Sequence, residues 1–531
     1  MAEKRGYGVG LQWFPDFISR GAVYVDKTAY VYKLAHHKSK NFFLSRPRRF
    51  GKSLLVSTLQ CYFEGRRELF RGLSIDKLET EWIAYPVIRL DLSSGKYYDL
   101  GSVNSIAGGI LEWYEKDYGL PIRNEENLGK RFADLIRAAY EQTGREVVVL
   151  IDEYDAPMLD TVTKPDLQAQ IRERIRDLFS PLKAQAQYLR FVFLTGISKF
   201  SQLSVFSELN NLNVLTFDSE YEGICGITEE ELLTQLRPDI EWLSECSGLY
   251  GRRKMDFDET VAELKRMYDG YHFSVKMTDI YNPWSIIYAF DKGMIDNYWF
   301  STGTPSSLIN LLRMRQLNLP ELEGFEANSK QFDAPTERIT DPVPVLFQSG
   351  YLTIKAYKPE NGSYILGFPN EEVYRGFADS LYMYYMEDYT GSSNRMTTAF
   401  WRLRSGESTF EQFLDAVRRW YAGIPYSITD RNQNEQFYQA MFYALMAGMG
   451  ADVHAEDQTV DGRMDISLKL KDAIYILEFK YDKTPGEALE QIMAKDYAVR
   501  FAADPRPVYA VGLNVSADRR TIESCDIVSC E

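Results

Sequence analysis

The sequence has no apolar run long enough to cross a membrane. Its longest apolar stretches, such as the one at 147–151, fall well short of the ~18 residues that a membrane-spanning helix needs. The charged start of the chain is not followed by a continuous apolar segment, as it would be in a secretory signal peptide. We therefore expect a soluble, cytoplasmic protein with no membrane partner.

Cysteine and histidine are scarce, and each scarcity argues against a class of protein. The five cysteines among 531 residues form no CxxC pair, which argues against a disulfide framework and against a structural zinc site. None of the four histidines stands in an HExxH pattern, so a zinc hydrolase is not expected. The sequence also has no short-period repeat, which argues against a repeat architecture.

The chain also lacks the positive charge that is usual in proteins that coat DNA nonspecifically. Its formal net charge is −15 at pH 7. The charge is uneven, because residues 1–75 carry 14 Lys and Arg against 5 Asp and Glu, whereas residues 431–531 carry 11 against 17. The basic segment either meets a polyanion or surrounds the phosphates of a nucleotide, and both interpretations stay open at this point.

The length of the chain corresponds to about three or four domains at ~100–200 residues each. Residues 1–225 alternate near-continuous apolar strands with amphipathic helices. This pattern is typical of an α/β fold with a parallel sheet covered by helices on both faces. The strands are predicted at 41–45, 85–93, 146–155 and 189–198.

The rest of the chain divides into three further parts. Residues 226–370 alternate aromatic-rich helices with turns and end in a strand, which predicts a helical lid or a winged-helix region. Residues 371–430 have the pattern of a helical connector. Residues 431–531 follow the order helix, strand, strand, helix, strand, which predicts a second α/β domain.

A loop with the features of a phosphate-binding loop follows the first predicted strand. In such a loop the backbone N–H groups and a helix N-terminus hold phosphate, a lysine reaches the β and γ oxygens, and a hydroxyl binds Mg²⁺. The first glycine of the GxxxxGK[ST] pattern is replaced here by arginine. We predict that ATP is bound by Arg46, Pro47, Arg48, Arg49, Phe50, Gly51, Lys52, Ser53 and Leu54.

Two carboxylates end the apolar strand at 146–155. We predict that Asp152 holds Mg²⁺ together with Ser53, and that Glu153 polarises the attacking water. Acidic residues also end strands for structural reasons alone, so the argument depends on finding both motifs in strand context. Thr195, at the end of a further strand, is predicted to sense the γ-phosphate, with Ser198 as the alternative.

Six segments of the chain resemble a known family. They resemble the bacterial AAA-ATPase-like family, whose members usually carry a C-terminal PD-(D/E)XK nuclease-like domain. The resemblance spans about residues 7–515 and implies a P-loop ATPase, in which an arginine at the first loop position is normal. The matching segments are YVDKT (24–28), FFLSRPRRFGKSLL (42–55), VVLIDEYDAPML (148–159), TGISKFS (195–201), YNPWS (281–285) and SGYLT (349–353).

The C-terminal part carries a candidate metal site. Glu478 and Lys480 lie two apart on a predicted strand and therefore share a face. A hairpin that turns near 471–472 would bring Asp465 beside Glu478. Two carboxylates at such spacing bind Mg²⁺ or Mn²⁺ through oxygen, and the lysine stabilises the nucleophile or the transition state.

Two further residues complete the predicted nuclease site. Glu435, on the preceding helix, is predicted as a third carboxylate ligand, and Gln491, on the following helix, as a residue that orients the substrate or the lysine. The order GxxD, ExK and Q resembles the RecB-type pattern of PD-(D/E)XK nucleases. It departs where a tyrosine is expected, because Lys495 stands there and the nearest tyrosine is Tyr497.

Three functions remain in competition. The first is an ATPase coupled to a metal-dependent endo- or exonuclease that acts on DNA, in defence or in the control of mobile elements. The second is an ATP-driven switch whose nuclease-like domain only binds nucleic acid or a protein partner. The third is an ATPase that acts on protein partners. The sequence favours the first, with ATP, Mg²⁺ and DNA as partners and a homo-oligomer left open.

Overall fold

The computed structural model describes most of the chain as two compact units. The first unit comprises Met1–Thr302 with Gly324–Glu372, and the second comprises Gly303–Glu323 with Val373–Glu531. The finer division into four parts remains a prediction. The described residues are 3–121, 127–161, 164–198, 212–249, 253–299, 322–332, 342–385, 392–422, 435–459 and 462–530.

A five-stranded parallel sheet forms the centre of the first unit. Its strand order is β2-β3-β4-β1-β5, so β4 separates the strand before the phosphate-binding loop from the strand that ends in two carboxylates. The predicted parallel sheet is confirmed. The strands are β1 (Asn41–Ser45), β2 (Val87–Asp91), β3 (Val147–Asp152), β4 (Leu189–Gly196) and β5 (Asn213–Val214).

Helices cover both faces of this sheet, as the fully buried strand β3 requires. On one face, Phe63 of the helix after the loop packs on Phe191, with ring centroids 4.8 Å apart. On the other face, Leu111, Leu135 and Leu178 form a core with apolar residues of the strands. The helices around the sheet are Phe14–Ser19, Thr28–Ala35, Lys52–Phe63, Ser74–Leu78, Leu100–Asp117, Leu128–Thr143, Ala156–Asp160, Pro165–Phe179 and Pro181–Ala184.

The remainder of the first unit has a helical group and a small antiparallel sheet. The helical group surrounds the two-stranded sheet β6 (Ile227–Thr228) and β7 (Ile280–Tyr281). Strands β8 (Phe325–Asn328), β9 (Thr353–Lys358) and β10 (Ser363–Gly367) pair in the order β8-β10-β9. The helices here are Glu229–Thr234, Arg237–Cys246, Phe257–Tyr268, Pro283–Lys292, Ser329–Phe332 and Val343–Ser349.

The second unit is built on a mixed five-stranded sheet in the order β11-β12-β13-β14-β15. Strands β13 and β14 are parallel, and the other neighbours are antiparallel. The strands are β11 (Asp452–Thr459), β12 (Gly462–Lys469), β13 (Ile474–Tyr481), β14 (Val508–Ser516) and β15 (Thr521–Cys530). The helices are Ser392–Arg404, Phe410–Ala422, Glu435–Gly448 and Pro485–Ala494, and the helix Glu371–Tyr385 begins at the boundary between the units.

The order predicted for the C-terminal domain is present, with one strand added at each edge. Strands β12, β13 and β14 and the helices at 435–448 and 485–494 match the prediction. The sequence analysis missed the edge strands β11 and β15. Edge strands face solvent on one side and carry more polar residues, so their apolar pattern is weak. Among the described residues, no helix is long and apolar enough to span a membrane.

Candidate functional site

The phosphate-binding loop wraps around the ammonium group of its lysine. Gly51 has a φ of 89°, a left-handed conformation that favours glycine, and the next residue begins the helix Lys52–Phe63. Lys52 is buried, and its Nζ donates to the carbonyl oxygens of Arg46 and Pro47 at 3.1 Å each. The same Nζ lies 3.4 Å from Glu153 Oε1. The fold therefore brings the two predicted nucleotide motifs together.

Asp152 lies fully buried at the end of β3, beside the start of the same helix. Arg89 Nη2 donates to Asp152 Oδ2 at 3.2 Å, whereas Asp152 Oδ1 is buried without a hydrogen-bond partner among the described residues. Burial, reinforced by the charges of Asp91 and Glu153, raises the pKa of Asp152 to about 6, while Arg89 and a hydrogen bond from Ser53 oppose the rise. An orphaned carboxylate oxygen next to Ser53 fits a hard cation such as Mg²⁺.

Glu153 is held in a left-handed backbone conformation that is uncommon outside glycine. Its φ is 48°, and its side chain is 20% exposed. The next residue, Tyr154, donates its backbone N–H to the carbonyl oxygen of Thr195 at 3.0 Å, and its hydroxyl donates to the carbonyl oxygen of Ser198 at 2.7 Å. The end of β4 therefore fixes the backbone that presents Glu153.

The two predicted γ-phosphate sensors lie behind this carboxylate. Thr195 is fully buried, and its hydroxyl has no hydrogen-bond partner among the described residues. Ser198 donates its backbone N–H and its hydroxyl to Asp155 Oδ2, both at 2.7 Å. Burial, followed by the charge of Glu153, raises the pKa of Asp155. The sequence analysis missed Asp155, although its place three residues after Asp152 was a signal.

The structure does not bring the side chain of Arg46 to the phosphate position. The residue is 1% exposed, and its guanidinium donates to the carbonyl oxygens of Ser45, Thr216 and Tyr221 at 2.9–3.2 Å. It also lies 4.0 Å from the ring centroid of Phe273. Burial lowers the pKa of Arg46 to about 10. Arg46 therefore ties the start of the loop to neighbouring segments of the first unit.

A cavity of about 440 Å³ opens over the loop. Of the residues predicted to bind ATP, those that line it are Arg48, Arg49, Phe50, Gly51, Lys52, Ser53 and Leu54. Glu153 also lines it, whereas Asp152, Thr195, Arg46 and Pro47 do not. Sequence analysis missed most of the opposite wall, which is formed by segments near residues 8–12, 224–227 and 283–288. The family resemblance includes 281–285 but gives these residues no role, and no charged pattern marks the three segments as part of a nucleotide site.

The second predicted site also assembles. Continuing the β12–β13 register, in which Ile466 pairs with Leu477, places Asp465 opposite Glu478, and a turn at 470–473 joins the two strands. Asp465 Oδ2 accepts the backbone N–H of Phe479 at 2.9 Å. Lys480 Nζ donates to Glu478 Oε1 at 3.1 Å and lies 3.5 Å from Glu435 Oε1. The lysine therefore stands among carboxylates from a helix and a strand.

Burial governs the charges at this second site. Burial and the neighbouring Asp465 raise the pKa of Glu478, while Lys480 opposes the rise. Burial is the largest single influence on Lys480 and lowers its pKa, but the charge and hydrogen bond of Glu478 together with the charges of Glu435 and Asp465 outweigh it, so the pKa is raised. Glu478 Oε2 is buried without a partner among the described residues. That orphaned oxygen and Asp465 fit a hard cation, although within the described ranges no three His, Cys, Asp or Glu side chains already form a metal-holding group.

The following helix supplies a glutamine to the same site, and the segment just after that helix supplies a tyrosine. Gln491 hydrogen-bonds to Tyr497, which opposes the rise that burial causes in the pKa of Tyr497. The charges of Glu478, Asp465 and Lys480 also act on Tyr497, so this buried tyrosine lies near the predicted site although it is two positions late in sequence. The helix ends at Ala494, and a left-handed residue turns the chain back before Tyr497.

Gln439 is a second residue of this site that the sequence analysis missed. Its Nε2 donates to the carbonyl oxygen of Asp465 at 3.2 Å. It lies one helical turn after Glu435 on the helix Glu435–Gly448, so the two side chains share a face. The four-residue spacing between Glu435 and Gln439 was the available signal. It points to the site only after Glu435 itself has been assigned there.

Comparisons with known proteins match two parts of the chain to two family models. A family model described as a predicted AAA-ATPase matches residues 8–206, and a model of the PD-(D/E)XK nuclease superfamily matches residues 433–525. An uncharacterized protein in the vnfD 5′ region of Azotobacter chroococcum mcd 1 is 34% identical over 507 residues, which cover 94% of each protein.

A solved structure is also similar at a much greater distance. It is the Aeropyrum pernix ORC1 protein in complex with DNA, with a TM-score of 0.26 and 13% identity over 70% of this chain and 96% of that chain. A likeness this distant carries no argument about this protein. From the family models and the full-length relative, the chain belongs to the AAA-ATPase-like family, with an N-terminal ATPase-like domain and a C-terminal domain of the PD-(D/E)XK nuclease superfamily.

Proposed function

We propose that the protein hydrolyses ATP at the loop of the first unit and that ATP controls a metal-dependent cut in DNA at the second unit. The observation that carries the proposal is the convergence of Asp465, Glu478 and Glu435 around Lys480. A buried lysine between carboxylates is costly unless the arrangement serves a purpose, and PD-(D/E)XK domains use such groups for phosphodiester cleavage.

In the first unit, the side chains divide the work on ATP among themselves. Lys52 and the backbone of residues 48–53 bind the phosphates, while Arg48 and Arg49 neutralise their charge from the cavity wall. Ser53 and Asp152 would hold Mg²⁺, which when bound neutralises charge that develops on the transferred phosphoryl group. Glu153 accepts the proton of the attacking water, and the carbonyl oxygen of Thr195 helps to fix its backbone through Tyr154.

In the second unit, the acidic side chains and the lysine have complementary tasks. Asp465 and Glu478, with Glu435 as a third carboxylate, would hold Mg²⁺ or Mn²⁺, which when bound lowers the pKa of a bound water and offsets phosphate charge. Lys480 stabilises the nucleophile or the negative charge of the transition state. Gln491, on the following helix, and Tyr497, just after it, orient Lys480, and their own side chains hydrogen-bond to each other.

A cleavage assay with matched lysine variants tests the nuclease half. Purified protein with Mg²⁺ or Mn²⁺ is incubated with linear, circular and single-stranded DNA and with RNA. We expect Lys480→Ala to lower the cleavage rate about 100-fold or more, because the charge-stabilising group is lost. The exposed Lys471→Ala in the same domain should cleave like the wild type. Cleavage that is unchanged in Lys480→Ala would remove this residue from the active site.

A second candidate function is an ATP-driven switch whose nuclease-like domain binds nucleic acid or a protein without cutting. The observation that favours it is that part of the site is already bonded within the chain, since Lys480 Nζ donates to Glu478 Oε1 and the backbone N–H of Phe479 donates to Asp465 Oδ2. Nucleic-acid binding without cleavage under any metal condition would select this alternative over the first proposal. Cleavage of RNA alone would keep the chemistry and change the substrate.

A further inference from the structure

One helix of the second unit differs from its surroundings in charge. The helix Ser392–Arg404 contains Arg395, Arg402 and Arg404 and no aspartate or glutamate. This is unusual in a chain whose net charge is −15. A short positive segment in an acidic protein is not explained by average composition, so the faces of this helix need separate consideration.

The apolar face of the helix is covered, and the basic face is not. Met396, Phe400 and Leu403 are buried, and Phe400 packs against Phe413 of the helix Phe410–Ala422, with ring centroids 6.1 Å apart. These positions recur with the three- and four-residue spacing of one helical face. Trp401 and the three arginines occupy the remaining circumference of the helix, where all four side chains are exposed, with Arg395 and Arg402 on one flank and Trp401 and Arg404 on the other.

Trp401 is the second unusual feature of this face. It is 55% exposed, although tryptophan is normally well buried because of its large apolar area. The guanidinium of Arg404 lies 5.3 Å from the centroid of the Trp401 ring. Such an arrangement preorganises an aromatic surface beside a positive charge.

No carboxylate of the described residues forms an ion pair with any of the three arginines, whereas Arg418 on the next helix pairs with Asp415 at 3.1 Å. Exposed arginines without carboxylate partners repel one another, and an external polyanion relieves that repulsion. The charge of the face thus matches a partner that is itself strongly negative.

The helix is connected to the candidate cleavage site through its packing partner. The helix Phe410–Ala422 lies on β15, and Phe410 stacks on Tyr475 of β13, with ring centroids 3.9 Å apart. At its other end, the Tyr421 hydroxyl donates to the carbonyl oxygen of Tyr438 at 2.6 Å, on the helix that also carries Glu435. The basic helix is therefore connected, through the helix Phe410–Ala422, to the same sheet that carries the candidate cleavage site.

We propose that the face formed by Arg395, Trp401, Arg402 and Arg404 is a docking surface for single-stranded nucleic acid. The guanidinium groups contact phosphates, and an unpaired base stacks on the open side of the Trp401 ring. This proposal rests on the proposed function, because it presumes that the second unit acts on nucleic acid. The positive charge that would bind the nucleic acid then lies in the same unit as the nuclease-like domain, whose own composition is acidic.

Fluorescence anisotropy tests the surface separately from cleavage. The probe is a labelled single-stranded DNA of about 20 nucleotides, longer than the ~4–16 nucleotides that one binding module covers. Binding is measured in EDTA over a range of salt concentrations, on the full chain. We expect Arg395→Gln, Arg402→Gln and Arg404→Gln together to weaken binding more than tenfold. The slope of log affinity against log salt should fall by about 2, which corresponds to three lost phosphate contacts.

Two matched variants separate this surface from general charge and from folding. The triple variant Arg71→Gln, Arg253→Gln and Arg519→Gln removes the same charge at exposed positions elsewhere and should keep the wild-type affinity and slope. Trp401→Ala should weaken binding about tenfold, whereas Trp401→Phe, which keeps an aromatic ring, should retain most of it. Thermal melting is measured for every variant so that only folded proteins are compared.

Three outcomes would overturn the proposal. One is wild-type affinity and slope in both the basic-face triple variant and Trp401→Ala. Another is an equal loss of affinity in the control triple variant. The third is equally strong competition by an acidic peptide of matched charge, which would indicate an acidic protein as the partner. Because binding is measured in EDTA, it is independent of cleavage. A protein that binds through this face but does not cut in the separate assay with Mg²⁺ or Mn²⁺ would contradict the proposed cleavage and leave the docking surface assigned.

Discussion

At the scale of single residues, the arginine in place of the first loop glycine has a structural role. Arg46 fills its buried position with hydrogen bonds to three backbone carbonyls and does not line the cavity. The sequence predicted a phosphate ligand here, because an arginine in a phosphate-binding loop has that role by default. The direction of a long side chain depends on the acceptors that the fold supplies, and two of the three acceptors here lie 170 and 175 positions away in the sequence.

The first prediction concerns this arginine. Arg46→Met removes a charged donor and leaves buried carbonyl oxygens without it, so we expect the free energy of unfolding to fall by about 2–4 kcal/mol. Chemical denaturation measures the change. The exposed Arg71→Met serves as the control and should change stability by less than about 0.5 kcal/mol. Equal stability of the two variants would contradict the buried role of Arg46.

The second prediction concerns the pH dependence of stability. Burial raises the pKa of Glu372 to about 7, although it accepts hydrogen bonds from the Ser285 hydroxyl and from the backbone N–H groups of Tyr298 and Trp299. A raised carboxyl pKa means that the folded protein keeps a proton that the unfolded chain loses near the ordinary glutamate pKa of 4.5. The stabilising contribution is therefore complete below about pH 4.5 and is lost as the pH rises through about 7.

Glu372→Gln isolates this contribution, because glutamine stays neutral and keeps an oxygen for the backbone donors. We expect the variant and the wild type to be similarly stable near pH 4.5. At pH 8 the variant should be more stable by up to about 3 kcal/mol. Denaturation curves across this range measure the difference, and the exposed Glu360→Gln should show none. A variant that is less stable at pH 8 than the wild type would show that the charged form is the preferred one.

At the scale of elements, one helix end meets the phosphate-binding loop within the first unit. The helix Val343–Ser349 ends at Gly350, which has a φ of 88°, and a Cβ atom there would lie 2.6 Å from Pro47 Cβ. This close approach means that only glycine fits between the helix end and the loop. The loop that carries Lys52 is therefore supported by a segment about 300 residues later in the sequence.

The third prediction compares two glycines that both have a positive φ. Gly350→Ala and Gly362→Ala both place a Cβ at positive φ, but the second meets open space. The strain of about 1–2 kcal/mol is shared, so the excess cost of Gly350→Ala reports the contact with Pro47. We expect that excess to be at least about 1 kcal/mol, together with weaker ATP binding. Equal stability and equal ATP affinity of the two variants would contradict the support role.

The elements that could be predicted from sequence are those with a complete local signal. The strands β1, β3 and β4 are largely apolar runs, and in the hairpin β12 alternates apolar and polar residues while β13 is mostly apolar, with a polar turn between them. Strand β15 could not be predicted because its exposed and buried residues alternate irregularly. The segments that form the rest of the cavity wall could not be predicted for a different reason, since they come together only in the folded chain.

At the scale of the whole molecule, the chain joins an ATPase-like unit to a unit with a nuclease-superfamily domain. Each unit contains buried carboxylates with an orphaned oxygen, at Asp152 in the first and at Glu478 in the second. Burying such groups lowers stability, and in the proposed function each of these two carboxylates serves a metal at its own site. The proposed order is that ATP at the first site licenses the cut at the second.

The most direct test of this account is the DNA cleavage rate as a function of ATP concentration, measured with Mg²⁺ in three proteins. We predict that the wild type changes its rate with ATP, because nucleotide binding at the loop controls the second site. Lys52→Ala should lose the response, since the loop no longer binds the β and γ phosphates, and Lys480→Ala should show almost no cleavage at any ATP concentration. An ATP response that is the same in Lys52→Ala as in the wild type, or undiminished cleavage in Lys480→Ala, would contradict the account.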